Sequence, residues 1–118
     1  MILVDTSVWI DHLRAGNPRL YSLLENEQVV CHPFIIGELA CGNLRNREEI
    51  LNLLAALPTA QIAEHHEVLH LLNEKRLYGR GLGWTDAHLL TSARIVGCEL
   101  WTLDFSLRRA ASSLNIST

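Results

Sequence analysis

Short apolar runs alternate along this chain with longer amphipathic stretches, and the two patterns predict different elements. A run of about four to eight apolar residues bounded by turn residues is typical of a buried strand, whereas an apolar stripe at every third or fourth position is typical of a helix. The predicted strands cover 2–5, 28–31 and 98–103, with weaker strands at 59–62 and 114–117. The predicted helices cover 8–14, 18–26, 33–41, 46–57, 64–77, 86–96 and 105–112.

This alternation of strands and helices predicts an α/β fold with three layers, in which helices flank a central, mostly parallel sheet. Turn and capping residues mark several of the boundaries. Thr6 or Ser7 is expected to cap the first helix, and Thr85 the helix over 86–96. Glycines at 79, 81 and 83 predict a flexible loop before that helix.

Length and composition limit the possible functions. The 118 residues fit one domain, which we expect to span 1–118, and the 48% hydrophobic content supports a folded core. The net charge of −3 excludes a global basic field for non-specific nucleic-acid binding. No apolar run reaches membrane-spanning length, and the chain starts on a strand pattern without a basic leader, so we expect neither membrane insertion nor secretion.

Three cysteines, Cys31, Cys41 and Cys98, lie in apolar runs without C-x-x-C spacing. An odd number of cysteines in such runs favours buried, reduced thiols over disulfides. We therefore expect a cytoplasmic protein.

Two aspartates follow strand-like runs. Asp5 comes after Ile2–Val4, and Asp104 comes after 99–103. Aspartate is uncommon in strands, and the carboxyl ends of parallel strands are where ligands bind in α/β sheets. Both residues are therefore expected at the same edge of the sheet.

Two further acids extend this set. Asp86 begins a predicted helix, whose dipole is expected to keep the carboxylate ionised, and Glu38 lies in an otherwise apolar helix. Each acid alone has an ordinary structural explanation. Together they favour a metal site, because carboxylates 4 Å apart repel by about 4 kcal/mol per pair at an effective dielectric of about 20. Oxygen ligands suit Mg²⁺ or Mn²⁺.

The same stretches carry a resemblance to a known family. The chain resembles PIN-domain ribonucleases, and specifically VapC-type toxins of bacterial toxin–antitoxin pairs. The matching segments span the whole chain and are Ile2-Leu3-Val4-Asp5-Thr6-Ser7-Val8-Trp9-Ile10-Asp11, Glu38-Leu39, Thr85-Asp86-Ala87 and Leu100-Trp101-Thr102-Leu103-Asp104.

This resemblance implies a PIN-like fold and metal-dependent hydrolysis of RNA phosphodiesters. The implied acidic site comprises Asp5, Glu38, Asp86 and Asp104, with Asp5 and Asp86 ranked first as metal ligands. The hydroxyls that the family places near the site map to Thr6 or Ser7 and to Thr102. The implied partners are an RNA substrate and an antitoxin protein encoded nearby, and we also expect a homodimer.

The expected mechanism is attack by water. One or two Mg²⁺ ions can activate a water molecule and neutralise the departing oxygen, and two would lie about 3.5–4 Å apart. No side chain of the site is an obvious nucleophile. We therefore expect no covalent enzyme intermediate.

A competing motif is His66-Glu67-Val68-Leu69-His70, which matches the H-E-x-x-H helix of zinc proteases. In that interpretation the histidines bind zinc, Glu67 is the base, and Glu74, Asp86 or His88 supplies a third ligand. Helical periodicity argues against it. Val68, Leu69, Leu71 and Leu72 form a stripe opposite the two histidines, which are therefore expected to face solvent.

A catalytically silent binding module is a third alternative.

Some remaining side chains have two interpretations. Trp84, Arg80 and Arg108 are possible RNA contacts, because aromatic rings stack on bases and arginines bind phosphate. Lys75, Arg76 and Arg109 extend the basic character, although solvated helix ends explain them equally well. Leucines on two helices form either a groove for a second copy or an antitoxin, or ordinary core; they are Leu20, Leu23, Leu24, Leu53, Leu54 and Leu57.

Overall fold

Three short strands and seven helices make up the computed structural model, which describes residues 1–118. The strands are β1 Ile2–Val4, β2 Val29–Val30 and β3 Glu99–Trp101. The helices are α1 Thr6–Ala15, α2 Pro18–Glu25, α3 Pro33–Ala40, α4 Arg47–Ala55, α5 His65–Glu74, α6 Trp84–Val96 and α7 Phe105–Ser113. None of the helices has the length and apolar character needed to cross a bilayer.

The sheet is parallel and has β1 at its centre, in the order β2-β1-β3. Leu3 pairs with Val30 on one side and with Leu100 on the other. All three of these side chains are buried, as expected for a parallel sheet covered on both faces. The carboxyl ends of β1 and β3 therefore meet at one edge, which confirms the predicted α/β class.

Helix α6 is the most deeply buried helix. Its residues 87–93 are all buried, including Leu89, which is fully enclosed. The helix ends at Gly97, whose φ of +79° lies in the left-handed region that glycine adopts without steric cost. Because α6 is held firmly by the core, the side chains on its first turn have a rigid support.

Two predicted strands are not formed. Of the segment 59–62, only Thr59 pairs with the sheet, through one parallel bridge to Cys31. Of the segment 114–117, only Ser117 does so, through one bridge to Leu100. The apolar residues in both segments are too few to sustain a ladder, and each segment touches the sheet at one point.

The predicted caps of two helices are wrong by one or two residues. Helix α1 starts at Thr6, so Thr6 and Ser7 lie inside its first turn and Asp5 is the N-cap. Helix α6 starts at Trp84 with Gly83 as N-cap, and not at Thr85. In both cases the hydroxyl that was expected to cap the helix lies inside its first turn.

Some burial predictions are also wrong. Cys31 and Cys98 are buried, but Cys41 is exposed, because it lies at the end of α3. Leu69 is 42% exposed, although it belongs to the predicted apolar stripe of α5.

The leucines on α2 and α4 do not form the exposed ridge that a docked helix requires. Leu20 and Leu54 are buried in the core, and Leu23, Leu24 and Leu57 are partly buried against it. Among the six, only Leu53 is exposed. Most of this set is therefore core.

A buried histidine joins the start of α3 to the middle of α6. The Nδ1 atom of His32 accepts the backbone N–H of Phe34 at 2.9 Å, so this nitrogen carries no proton. Its Nε2 lies 3.1 Å from Ser92 Oγ, and the Ser92 hydroxyl donates to the carbonyl of Gln61 at 2.9 Å. Nε2–H is therefore the donor to Ser92, and His32 is neutral.

This arrangement predicts that low pH destabilises the protein through His32. Burial, with a smaller contribution from the charge of His88, lowers the pKa of His32 from 6.5 to about 4. Between pH 6.5 and 4 the unfolded chain binds this proton and the folded chain does not, so stability falls as the pH is lowered. The free energy of unfolding above pH 6.5 therefore exceeds that below pH 4 by about 3 kcal/mol from this residue, at about 1.4 kcal/mol per pKa unit.

The measurement is the free energy of unfolding by urea across that pH range, for wild type and for His32→Asn. The variant keeps a side-chain acceptor for the Phe34 N–H but cannot be protonated, so its pH dependence should be weaker by about that amount. His66→Asn, at an exposed histidine, should retain the wild-type slope. Equal slopes for wild type and His32→Asn would contradict the assignment, as would ¹⁵N chemical shifts showing His32 protonated at Nδ1.

Candidate active site

Asp5 lies at the carboxyl end of the central strand. Its backbone N–H donates to the Trp101 carbonyl at 2.9 Å and so continues the pairing of β1 with β3. Its side chain is only 7% exposed. The Oδ2 atom accepts hydrogen bonds from Ser7 Oγ at 2.8 Å and from Thr102 Oγ1 at 2.7 Å. Both bonds go to Oδ2, and Oδ1 accepts neither of them.

Ser7 and Thr102 also hold the segment that follows β3. The Leu103 N–H donates to Ser7 Oγ at 3.0 Å, and the Asp104 N–H donates to Thr102 Oγ1 at 3.0 Å. Each hydroxyl therefore donates to the Asp5 carboxylate and accepts from the backbone. These bonds fix the position of Asp104 relative to Asp5.

Glu38 is exposed on α3, and its position depends on α1. Thr6 Oγ1 donates to Glu38 Oε1 at 2.7 Å, across 32 residues of sequence. A hydrogen bond to a carboxylate is stronger than one between neutral groups, so Thr6 limits the rotation of the longer glutamate side chain.

Asp86 lies in the first turn of α6, where its Oδ2 accepts the Gly83 N–H at 3.0 Å. Burial is the main cause that raises the pKa of Asp86. The bond from Gly83 opposes this shift, and the charges of Asp5, Asp104 and Glu38 add to it. Burial and repulsion from the neighbouring carboxylates therefore act against the helix dipole, which was expected to favour the ionised form of Asp86.

Asp104 caps α7. It is exposed, and its Oδ2 accepts the Leu107 N–H at 2.8 Å. It does not end β3 directly, as the sequence suggested, because β3 stops at Trp101. Asp104 is therefore both the N-cap of α7 and one of the four acids.

The four carboxylates share one feature. Each uses a single oxygen in the hydrogen bonds described above, and the other oxygen accepts none of them. The bonds therefore orient each group while one oxygen stays available to a ligand.

The donor chemistry fits a hard divalent cation. All four groups offer carboxylate oxygens, the ligands that Mg²⁺ and Mn²⁺ prefer. No Lys, Arg or His nitrogen lies within 4.0 Å of any of them, since the ion pairs of the structure all involve Glu74. No three His, Cys, Asp or Glu side chains are arranged as a ready-made metal site anywhere in the structure. If the four acids hold a metal, their unbonded oxygens would have to turn toward it.

Trp84, one of the expected RNA contacts, is the first residue of α6 and lies two positions before Asp86. It is 41% exposed, and its ring contacts His65 at 5.1 Å and His88 at 5.0 Å between centroids. Trp9 and Trp101 are buried in the core. Of the three tryptophans, therefore, only Trp84 presents a surface to solvent.

The zinc-protease motif on α5 has a structural explanation. His66 and His70 are exposed, as the periodicity predicted. Glu67 accepts the backbone N–H of Glu64 at 2.8 Å and so closes a capping box at the start of α5. His70 Nε2 lies 2.6 Å from Glu74 Oε2, one turn further along the helix.

Comparisons with known proteins agree with this fold. The family model of the PIN domain matches residues 2–112. The chain is 48% identical to Ribonuclease VapC32 of Mycobacterium tuberculosis, in strain CDC 1551 / Oshkosh and equally in strain H37Rv. Both alignments cover 99% of this chain and 95% of the relative. The chain therefore belongs to the PIN-domain family, and within it to the VapC-type proteins.

Proposed function

We propose that this protein is a Mg²⁺- or Mn²⁺-dependent endoribonuclease that acts in the cytoplasm as the toxin of a toxin–antitoxin pair. The observation that supports it best is the set of four carboxylates, each oriented through one oxygen. The 48% identity to a ribonuclease, over nearly the full length of both chains, points to the same activity.

Asp5 and Asp86 are proposed as the principal metal ligands, with Glu38 and Asp104 completing the site. Asp5 is buried and held by two hydroxyls, so its unbonded oxygen is the best fixed of the four. Burial and the neighbouring acids raise the pKa of Asp86, and a bound cation would act in the opposite direction. Thr6, Ser7 and Thr102 are positioning residues.

A bound Mg²⁺ or Mn²⁺ ion would supply a Lewis acid that lowers the pKa of water and neutralises charge on the phosphodiester. The protein's own contribution is to hold the carboxylates on rigid strand and helix ends. None of the hydroxyls at the site is hydrogen-bonded to a histidine that could activate it. We therefore propose attack by water, without a covalent intermediate.

The first prediction concerns the metal. Purified protein incubated with total RNA should produce internal cuts with Mg²⁺ or Mn²⁺, and EDTA should abolish them, because the four carboxylates would then be uncompensated. Gel electrophoresis of end-labelled fragments distinguishes internal cuts from digestion at the ends. Cleavage that persists in EDTA, or that requires only Zn²⁺, would contradict the proposal.

The second prediction concerns the ligands. Asp5→Asn and Asp86→Asn should each reduce cleavage by about a hundredfold or more, since even residues that only support metal ligands are worth about 10- to 100-fold. Without metal, the thermal stability of Asp86→Asn should equal or exceed that of wild type. The reason is that a raised pKa makes the charged carboxylate less favourable in the folded protein than in the unfolded chain, and asparagine does not carry this cost.

Glu99→Gln is the matched control, because Glu99 is an exposed acid at the other end of β3. It should keep both activity and stability. Wild-type cleavage by either aspartate variant would show that the site is assigned wrongly. Unfolding of the variants would show instead that these carboxylates are needed for the fold.

The third prediction concerns the partner. A small protein encoded beside this chain should copurify with it and should suppress its toxicity. Asp5, Asp86 and Asp104 form no ion pair within the chain. An Arg or Lys of that protein could therefore insert between them. A homodimer also remains a prediction from the sequence.

Growth after induction tests this proposal, with the chain expressed alone and with the adjacent reading frame. Wild type and Glu99→Gln should arrest growth alone, whereas Asp5→Asn should not. Co-expression should restore growth. A wild-type protein that accumulates folded and active but harmless would indicate a nuclease with another role.

A further inference from the structure

A cleft of about 460 Å³ lies beside the acidic cluster, between the glycine-rich loop and α7. Arg80 enters it from the loop, while Phe105 and Arg109 enter it from the helix. Phe105 directly follows Asp104, so the cleft begins one residue from the acids. At 1.5 Å per helical residue, Arg109 lies about 7.5 Å along α7 from Asp104.

The two arginines of this cleft are available to a ligand. The protein carries more acids than bases, yet no carboxylate lies within 4.0 Å of Arg80 or Arg109. Both side chains are exposed, and the serine hydroxyls of Ser106 and Ser113 line the same cleft. Two arginines that form no ion pair with the protein suit a phosphate group, and Ser106 adds a hydroxyl beside them.

Phe105 adds an aromatic surface. Its side chain is 68% exposed, although exposure of a phenyl ring to water is unfavourable. The guanidinium of Arg109 lies over the ring at 5.7 Å from its centroid, which orients both groups. A positively charged groove with an exposed aromatic ring is the pattern by which proteins bind single-stranded nucleic acids.

The loop is shaped to lie close to α7. A Cβ atom at Gly81 would come within 3.1 Å of Ser106 Oγ, and its φ of +79° is one that other residues rarely adopt. Glycine at this position therefore allows the loop that carries Arg80 to approach the helix that carries Arg109. The two walls of the cleft are brought together by this close approach.

We propose that this cleft binds the single-stranded RNA next to the scissile phosphodiester, with Arg80 and Arg109 on a phosphate and Phe105 stacked on a base. The proposal rests on the proposed ribonuclease function. It states where the RNA strand runs on one side of the four acids. It also replaces Arg108 by Arg109 as the contact on α7, since Arg108 does not line the cleft.

The test measures binding without cleavage. Fluorescence anisotropy of a fluorescein-labelled single-stranded oligoadenylate is followed in EDTA over a range of salt concentrations. On a single strand, each phosphate that the protein neutralises contributes about 0.7 to the slope of log K against log salt. R80Q and R109Q should each lower the slope by about that amount if each arginine neutralises one phosphate charge.

R108Q is the matched control, because it removes the same charge from the neighbouring exposed position of the same helix. It should leave the slope unchanged. An equal effect of R108Q and R109Q would mean that only the general surface charge matters, and would overturn the proposal. Wild-type protein that fails to bind the oligonucleotide at low salt would overturn it too.

F105L tests the stacking part separately. Leucine keeps an apolar side chain at this exposed position but lacks the aromatic face. Because stacking one base on an aromatic ring is worth about fivefold or more in affinity, F105L should weaken binding by that factor without changing the salt slope. Unchanged affinity would overturn the assignment of Phe105.

Cleavage assays separate this proposal from the proposed function. If the variants weaken binding as expected but wild type never cuts RNA, the cleft stands and the ribonuclease function fails. If wild type cuts RNA and the R80Q/R109Q double variant shows the same KM, the function stands and the cleft assignment fails.

Discussion

Repulsion among four carboxylates is the constraint on which the rest of this structure depends. Two such charges 4 Å apart repel by about 4 kcal/mol at an effective dielectric of about 20. A hydrogen bond to a charged group contributes about 1.5–3 kcal/mol, and the observed bonds orient these groups without neutralising their charge. Burial is the main cause that raises the pKa of Asp86, and the charges of the other three acids add to this shift. The divalent cation that we propose would offset this repulsion.

The fold supplies the positions of the acids through backbone geometry. Asp5 follows the central strand, Asp86 lies on the first turn of the most buried helix, and Asp104 caps the helix after β3. Ser7 and Thr102, which are 95 residues apart in sequence, connect Asp5 to the segment that carries Asp104. Asp5 is buried and Asp86 half-buried, so these two carboxylates are held rigidly, whereas Glu38 and Asp104 are exposed to solvent.

Much of this could be predicted from the sequence, because it depends on local patterns. The order of the main elements follows from hydrophobic periodicity. Asp5, Asp86 and Asp104 were singled out by their places after strands and at a helix start, whereas Glu38 was singled out as a charged residue within an apolar helix. The helix starts were less predictable, since Asp86 bonds to Gly83 and so moves the first residue of α6 ahead of Thr85. The exposure of Cys41 was missed because an apolar run does not show which of its residues face solvent once the helix is packed.

Features that depend on distant contacts could not be predicted. Nothing near Thr6 indicates that it bonds to Glu38, and nothing near His32 indicates that it reaches Ser92. The choice of Arg109 over Arg108 as a cleft residue depends on the rotation of α7 relative to a glycine loop more than twenty residues earlier. Such information becomes available only when the elements are packed.

The most direct test of the central claim is where a divalent cation binds. Titration of the ¹⁵N-labelled protein with Mn²⁺ locates it, because the paramagnetic ion broadens the NMR signals of nearby amides. We predict broadening first at residues 5–7, 38, 83–86 and 102–104, and its loss in Asp5→Asn. Broadening centred on His66 and His70, or spread evenly over the acidic surface, would contradict the account.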